Sequence, residues 1–216
     1  MLLPAAQHGC IRGYEVPHAR PVCDDGAVGF AEHLERHFPD GSTAVIAPVR
    51  ADVEDRLPGF RVWRIAPEEY GKPWIYATCG AAQSAGPGGT GAEYVLLAPD
   101  QDPSLAEMLA AVAIVNADSE EGLGVGSVVA LPRPWLRGSF ANHLLVVPPY
   151  GFEPDFGVYE DAEDGRRVVV LWLLPITAAE AQFARQNGHE ALEKLIEEAR
   201  ANVANPRRPS LVSVQA

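Results

Sequence analysis

Sulfur, aromatic rings and basic charge are all scarce in this chain. Its three cysteines, Cys10, Cys23 and Cys79, are an odd number spread over 216 residues. That excludes a disulfide framework as the organising principle and leads us to expect a reducing compartment. Lys and Arg total 17 against 29 Asp and Glu, a formal charge of −12 with a sequence pI near 4.9. A field of that sign repels phosphate backbones and anionic lipid surfaces, so neither nucleic acid nor membrane is expected as a partner, whereas a basic protein would be attracted. No apolar run approaches the roughly 20 residues that span a bilayer. The longest, residues 168–174, has the length of a buried strand. The opening MLLPAAQHGC lacks a basic n-region and is too short for a secretory h-region. The expectation is a cytoplasmic protein. Its 47% apolar content and its length are enough for a core without metal or disulfide support.

What is present reads as an α+β domain. Residues 1–25, rich in Pro, Gly and His, form an irregular leader. Asp25 is placed to cap a helix whose Phe30, Leu34 and Phe38 make one apolar face. Four short β-rich runs follow, at 43–49, 60–66, 74–79 and 93–98, separated by turn clusters that include PEEYGKP and AAQSAGPGGTG. Connections this short hold no crossover helix, so the four runs are expected to form an antiparallel meander. Asp102 and Pro103 signal a helix start, and Leu105, Met108, Leu109, Val112 and Val115 trace its stripe. Three more strands are expected at 127–131, 143–147 and 168–174; the last has no polar face and belongs at the sheet centre, covered on both sides. Thr177 and Glu180 have capping-box spacing, which Asn187 and Glu190 repeat before a closing amphipathic helix. The domain proper spans 26–202, and the basic, then apolar, stretch 203–216 reads as a loose tail. The fold class is a mixed, mostly antiparallel sheet with helices packed on it.

Motifs that would carry chemistry fail on their context. GPGGTG, residues 86–91, satisfies a dinucleotide-loop pattern, but a strand rather than a helix follows it, and Pro87 has no amide to donate. His33 and His37 lie at i, i+4, yet in HLERH the Glu stands one position late for a zinc protease; both read as a solvated helix edge. His8, Cys10, His18 and Cys23 match no compact metal finger. There is no nucleophile elbow, and Cys79 reads as a small buried hydrophobe. No catalytic residue, metal site or cofactor is assigned. The residues put forward for partner contact are Trp135, in a turn-rich stretch and expected to be exposed, Tyr76, and the loop acids Glu68, Glu69, Glu120 and Glu121.

The segment order resembles the Suppressor of fused family. The resemblance rests on WIYATCG (74–80, with Trp74 and Gly80), AEYVLLA (92–98, with Glu93), and the helix over 103–117. It continues in LGVGSVVALP (123–132, ending at Pro132), HLLVVP (143–148), and VVVLWLLPITAAE (168–180, with Trp172, Pro175, Thr177 and Glu180). It implies a non-catalytic, protein-binding domain. In animals the family member restrains Gli transcription factors by clamping an extended peptide between this domain and a second lobe, for which 216 residues are expected to leave no room. The Ala- and Arg-rich, Lys-poor composition is similar to that of a high-GC bacterium, and shorter bacterial relatives are thought to act as immunity proteins that neutralise toxins. The alternative is an enzyme or metal-binding protein that uses the His/Cys-rich leader. One departure stands out. Many bacterial relatives follow the strand glycine with Met-Ser, whereas Gly80 here precedes Ala81 and Ala82.

Overall fold

Period-2 alternation of apolar residues builds one large sheet in the computed structural model, which describes residues 28–39, 41–49, 51–85, 90–160 and 165–212. The leader, with its four His and Cys candidates, and the glycines of the GPGG stretch lie outside the described residues. The strands are β1 (Thr43–Ile46), β2 (Arg61–Ile65), β3 (Trp74–Cys79), β4 (Gly91–Ala98), β5 (Val128–Ala130), β6 (Ala141–Val147), β7 (Val158–Glu160) and β8 (Arg167–Thr177). Their order is β1-β2-β3-β4-β8-β6-β5, with β7 pairing the start of β8. β1 to β4 form the expected antiparallel meander, and only β4 and β8 run parallel. The sheet is mixed and mostly antiparallel.

The helices are α1 (Val28–His37), α2 (Ala51–Arg56), α3 (Ser104–Asp118), α4 (Ala178–Asn187) and α5 (His189–Glu198). Alternation along the strands sorts the core onto two faces. Val62, Tyr76, Tyr94, Leu96, Leu144, Leu171 and Leu173 meet α2 and α3 on one face. On the other, Trp63, Ile65, Ala77, Val95 and Val170 lie under Phe30 and Leu34 of α1, while Leu145, Val147, Leu174 and Ile176 lie under α4 and α5. β8 is therefore central and covered on both sides, as its unbroken apolar run requires.

Trp172 differs from expectation in degree. It is half-buried, packing where the α1 and the α4–α5 clusters meet, with Phe152 edge-on at 6.3 Å. Trp172→Ala is expected to cost about 3 kcal/mol, the low end of the range for core aromatics. Chemical denaturation would check this, and a loss under about 1 kcal/mol would mean that the ring joins the two clusters only weakly.

Several local readings change. α2, a helix of 6 residues, sits in the β1–β2 connection where only a turn was expected. The buried stripe of α3 steps from Val112 to Asn116 rather than to Val115, which is 44% exposed. Residues three and four on lie to opposite sides of Val112 around the helix axis, and here only the side of Asn116 stays over the core. Thr177 and Glu180 make a complete capping box, but Asn187 does not cap α5: Gly188 does, and the Asn187 amide donates to the Phe183 carbonyl at 3.0 Å. His33 is not a solvated edge. It is 3% exposed and packed among aromatic rings.

The stretch after α5 is not loose over its described part, which runs to residue 212. Arg208 turns inward, 8% exposed, and grips Glu180 with both terminal nitrogens, at 2.6 and 2.9 Å. The Leu211 amide donates to the same carboxylate at 2.9 Å, and Arg208 also reaches the Pro175 carbonyl. The basic stretch reads as loose in the sequence because its acidic partner lies 28 residues upstream and is fully buried.

Candidate functional site

Two of the residues put forward for partner contact are core residues. Trp135 is 3% exposed: the 131–140 loop folds back so that its amide donates to the Ala141 carbonyl and its ring enters the α3-side core. Tyr76 is fully buried, and its hydroxyl accepts from the Asp102 amide at 2.9 Å. Both rings are large apolar bodies with enough core beside them to be drawn in, and neither is available as an anchor. The most exposed aromatics among the described residues are instead Tyr70 at 109%, Phe140 at 67% and Tyr150 at 66%.

All four loop acids are exposed, but the fold separates them. Glu68 and Glu69 lie in the β2–β3 turn, at the end of the sheet where Trp74 pairs with Ala98. Glu120 and Glu121 follow α3, which runs back along the sheet to the end where β4 and β8 begin. The 8 residues of β4 lie between them, a span on the order of 20 Å. At that distance, about two Debye lengths at physiological salt, the pairs act independently.

The second pair borders a concavity. Ser84, Thr90, Asn116, Ser119, Glu120 and Glu121 rim a cleft of about 330 Å³ whose floor is Ala92, Val169 and Leu171 on the sheet. Its wall is a closed hydrogen-bond network. The Tyr94 hydroxyl donates to Asn116 Oδ1 at 2.8 Å and lies 3.0 Å from the Leu123 carbonyl. Asn116 Oδ1 also accepts from the Leu123 amide, while its Nδ2 donates to Ser84 Oγ at 2.9 Å. Burial, with the Glu93 charge nearby, pushes the Tyr94 phenol well above its ordinary value, so it stays a donor. The cleft also receives the negative end of α3, a helix of 15 residues. Asp118 is paired with Arg56, whereas no basic side chain among the described residues pairs with Glu120 or Glu121. This arrangement suits a positively charged group.

Beside the cleft, Glu93 holds the corner that leads into it. Its carboxylate is buried and accepts from the Thr78 hydroxyl at 2.5 Å and from the amides of Gly80, Ala82 and Ala81 at 2.8, 3.1 and 3.3 Å. Burial holds this carboxyl above its ordinary value, and the four donors offset that only in part. Those amides open the 3₁₀ helix Ala81–Ser84, which carries Ser84 to the cleft. Gly80 has φ +108°, and an added Cβ would lie 3.3 Å from the Phe60 backbone, so other residues are strained there. Among the described residues no three His, Cys, Asp or Glu side chains converge as a metal site. The strand after GPGGTG is β4, as expected.

The sequence reasoning missed Asn116, Ser84 and Tyr94. Asn116 left a signal: a polar residue on the buried step of an otherwise apolar helix needs partners.

The Suppressor of fused protein family model matches residues 55–209, from α2 through the Arg208 grip. The chain belongs to the Suppressor of fused family. It is similar to a Suppressor of fused homolog from Neisseria gonorrhoeae, with 26% identity and a TM-score of 0.77 over 89% of this chain and 99% of that one. A chain of the Sufu–Fu complex shares the fold at 14% identity and a TM-score of 0.63, over 86% of this chain and 92% of that one. So does Drosophila Suppressor of Fused, at 14% identity and TM-score 0.63 over 82% of this chain. This chain spans about half of the Drosophila protein, 47%. No curated protein matches it. In this Suppressor of fused domain the Ala81–Ala82 corner acts through its backbone: amides, not side chains, bind Glu93. No helix among the described residues is long and apolar enough to cross a membrane.

Proposed function

We propose that this Suppressor of fused domain is a non-catalytic, immunity-type protein that neutralises a toxin, or another basic protein, by occluding it. The family is one of protein-interaction modules, and a similar chain is found in the Sufu–Fu complex. The observation that carries the reading is the cleft at the end of α3, where Glu120 and Glu121 stand unpaired among the described residues beside a rigid hydroxyl and amide wall. The net −12 charge draws a basic partner toward the chain, and the cleft gives one of its cationic side chains a place to seat. The product of any toxin gene found adjacent to this one is the first partner to try.

Surface plasmon resonance tests this directly. Association with that partner should be fast at low salt and fall steeply once salt passes about 0.1 M, where the Debye length is about 10 Å. Glu120→Lys with Glu121→Lys should slow association by about tenfold or more at low salt, with a smaller effect at high salt. An on-rate indifferent to salt and to both reversals would remove the electrostatic part of the proposal.

A further inference from the structure

The binding cleft does not involve the histidines of α1, and they are placed too specifically to be filler. His33 is 3% exposed, and its Nε2 lies 3.0 Å from the Phe156 carbonyl. A carbonyl only accepts, so Nε2 carries the proton and Nδ1 is left with a lone pair. That Nδ1 is buried and has no hydrogen-bond partner among the described residues. Stacked rings surround the imidazole: Tyr159 at 5.2 Å, Phe156 at 5.5 Å and Phe30 at 5.9 Å between centroids. One turn on, the His37 ring lies 4.6 Å from that of His33, and its Nε2 is also buried without a partner among the described residues.

We infer that the His33–His37 pair is an acid-triggered latch: neutral, it holds α1 on the sheet, and protonated, it lets α1 go. A proton added to His33 Nδ1 would have no acceptor among the described residues and would set a charge inside an aromatic pocket. The surrounding charges divide. On α1, Arg36 and His37 oppose a charge on His33; Asp155, in the 3₁₀ helix Pro154–Gly157, favours it. β7 brings the Tyr159 phenol, Glu32 and Glu35 are exposed, and the strands below supply Trp63, Ile65, Val95, Val170 and the Cys79 thiol. Burial outweighs the rest and holds His33 below its ordinary value of 6.5. The sign follows. The folded state prefers the neutral ring, so the docking energy is fully present above pH 6.5 and is lost as pH falls through the lower folded value. Release would uncover Trp63 and the apolar face beneath Phe30 and Leu34 while leaving the opposite face intact.

Hydrogen exchange on the full chain, corrected for intrinsic rates, is the test. Between pH 7.5 and 5.0, amides of α1 should lose protection by about tenfold or more while those of β8 keep theirs. His33→Gln, which retains an N–H for Phe156 but cannot titrate, should abolish the pH dependence. His37→Gln should reduce it. By NMR, His33 should titrate below 6.5 in the wild-type chain. The inference is overturned if α1 and β8 open together, if α1 stays protected at pH 5.0, if His33→Gln opens with the same pH profile, or if His33 titrates at or above 6.5.

Discussion

Arg208→Ala is expected to destabilise the domain by about 3–5 kcal/mol, because it strands a buried carboxylate. Glu180 is fully buried and receives the Arg208 guanidinium at 2.6 and 2.9 Å, the Thr177 amide at 2.8 Å and the Leu211 amide at 2.9 Å. Burial alone would raise its carboxyl. The Arg208 hydrogen bonds, the two amides and the guanidinium charge outweigh that and hold it below its ordinary value of 4.5. A carboxyl depressed in the folded state stabilises above its unfolded value and ceases to do so as pH falls through the folded one. The wild-type chain should therefore lose this contribution below about pH 4.5. Arg208→Ala should show a flatter acid limb, since what it removes is already missing there. Arg208→Lys keeps the charge but not the two-pronged geometry, and should fall between the two. Thermal unfolding at pH 7 and pH 4 would check all three. A loss below about 1 kcal/mol at neutral pH would mean that solvent reaches the pair.

The second large effect is expected at Glu93. Glu93→Ala removes the acceptor from one hydroxyl and three amides, each buried around it. At about 1–3 kcal/mol for each buried donor left unsatisfied, and with water able to enter part of the space, the total should exceed about 3 kcal/mol. Glu93→Gln keeps one oxygen but turns an NH₂ toward donors, and should recover only part of the loss. The consequence reaches the cleft. Because the Gly80–Ala82 amides fix the 3₁₀ helix that bears Ser84, partner affinity should drop in Glu93→Gln even where the fold survives. Glu120→Gln, on the exposed rim, should leave stability within about 0.5 kcal/mol. Equilibrium denaturation of the three variants separates these cases, and a near-neutral Glu93→Ala would refute the role given to the corner.

The frame of the fold was legible because it is written in local pattern. Period-2 alternation marked the meander, the unbroken run at 168–174 marked the central strand, and Thr177 with Glu180 marked a helix start through nearest-neighbour chemistry. Burial was not legible where it depends on distant partners. Trp135 and Tyr76 looked like surface anchors until the loop over 131–140 and the start of α3 closed on them. Arg208 fell in a stretch that reads as a loose tail because Glu180 is far away in sequence, and His33 looked like a helix edge because the Phe156 carbonyl lies 123 residues on. The acids were read correctly as exposed, yet sequence spacing could not show that Glu68 and Glu69 lie at one end of the sheet and Glu120 and Glu121 at the other. That depends on α3 running back along β4.

The central claim is that partners dock at the end of α3, and an NMR footprint tests it most directly. The labelled chain would be titrated with the partner it retains, in wild-type form and as Glu68→Lys with Glu69→Lys. The account predicts that shifts concentrate at Ser84, Thr90, Asn116 and residues 119–124, and that the reversal at the far end leaves both the footprint and the affinity unchanged. A footprint on the β1 edge or on the loop around Tyr70, with the cleft silent, would contradict it.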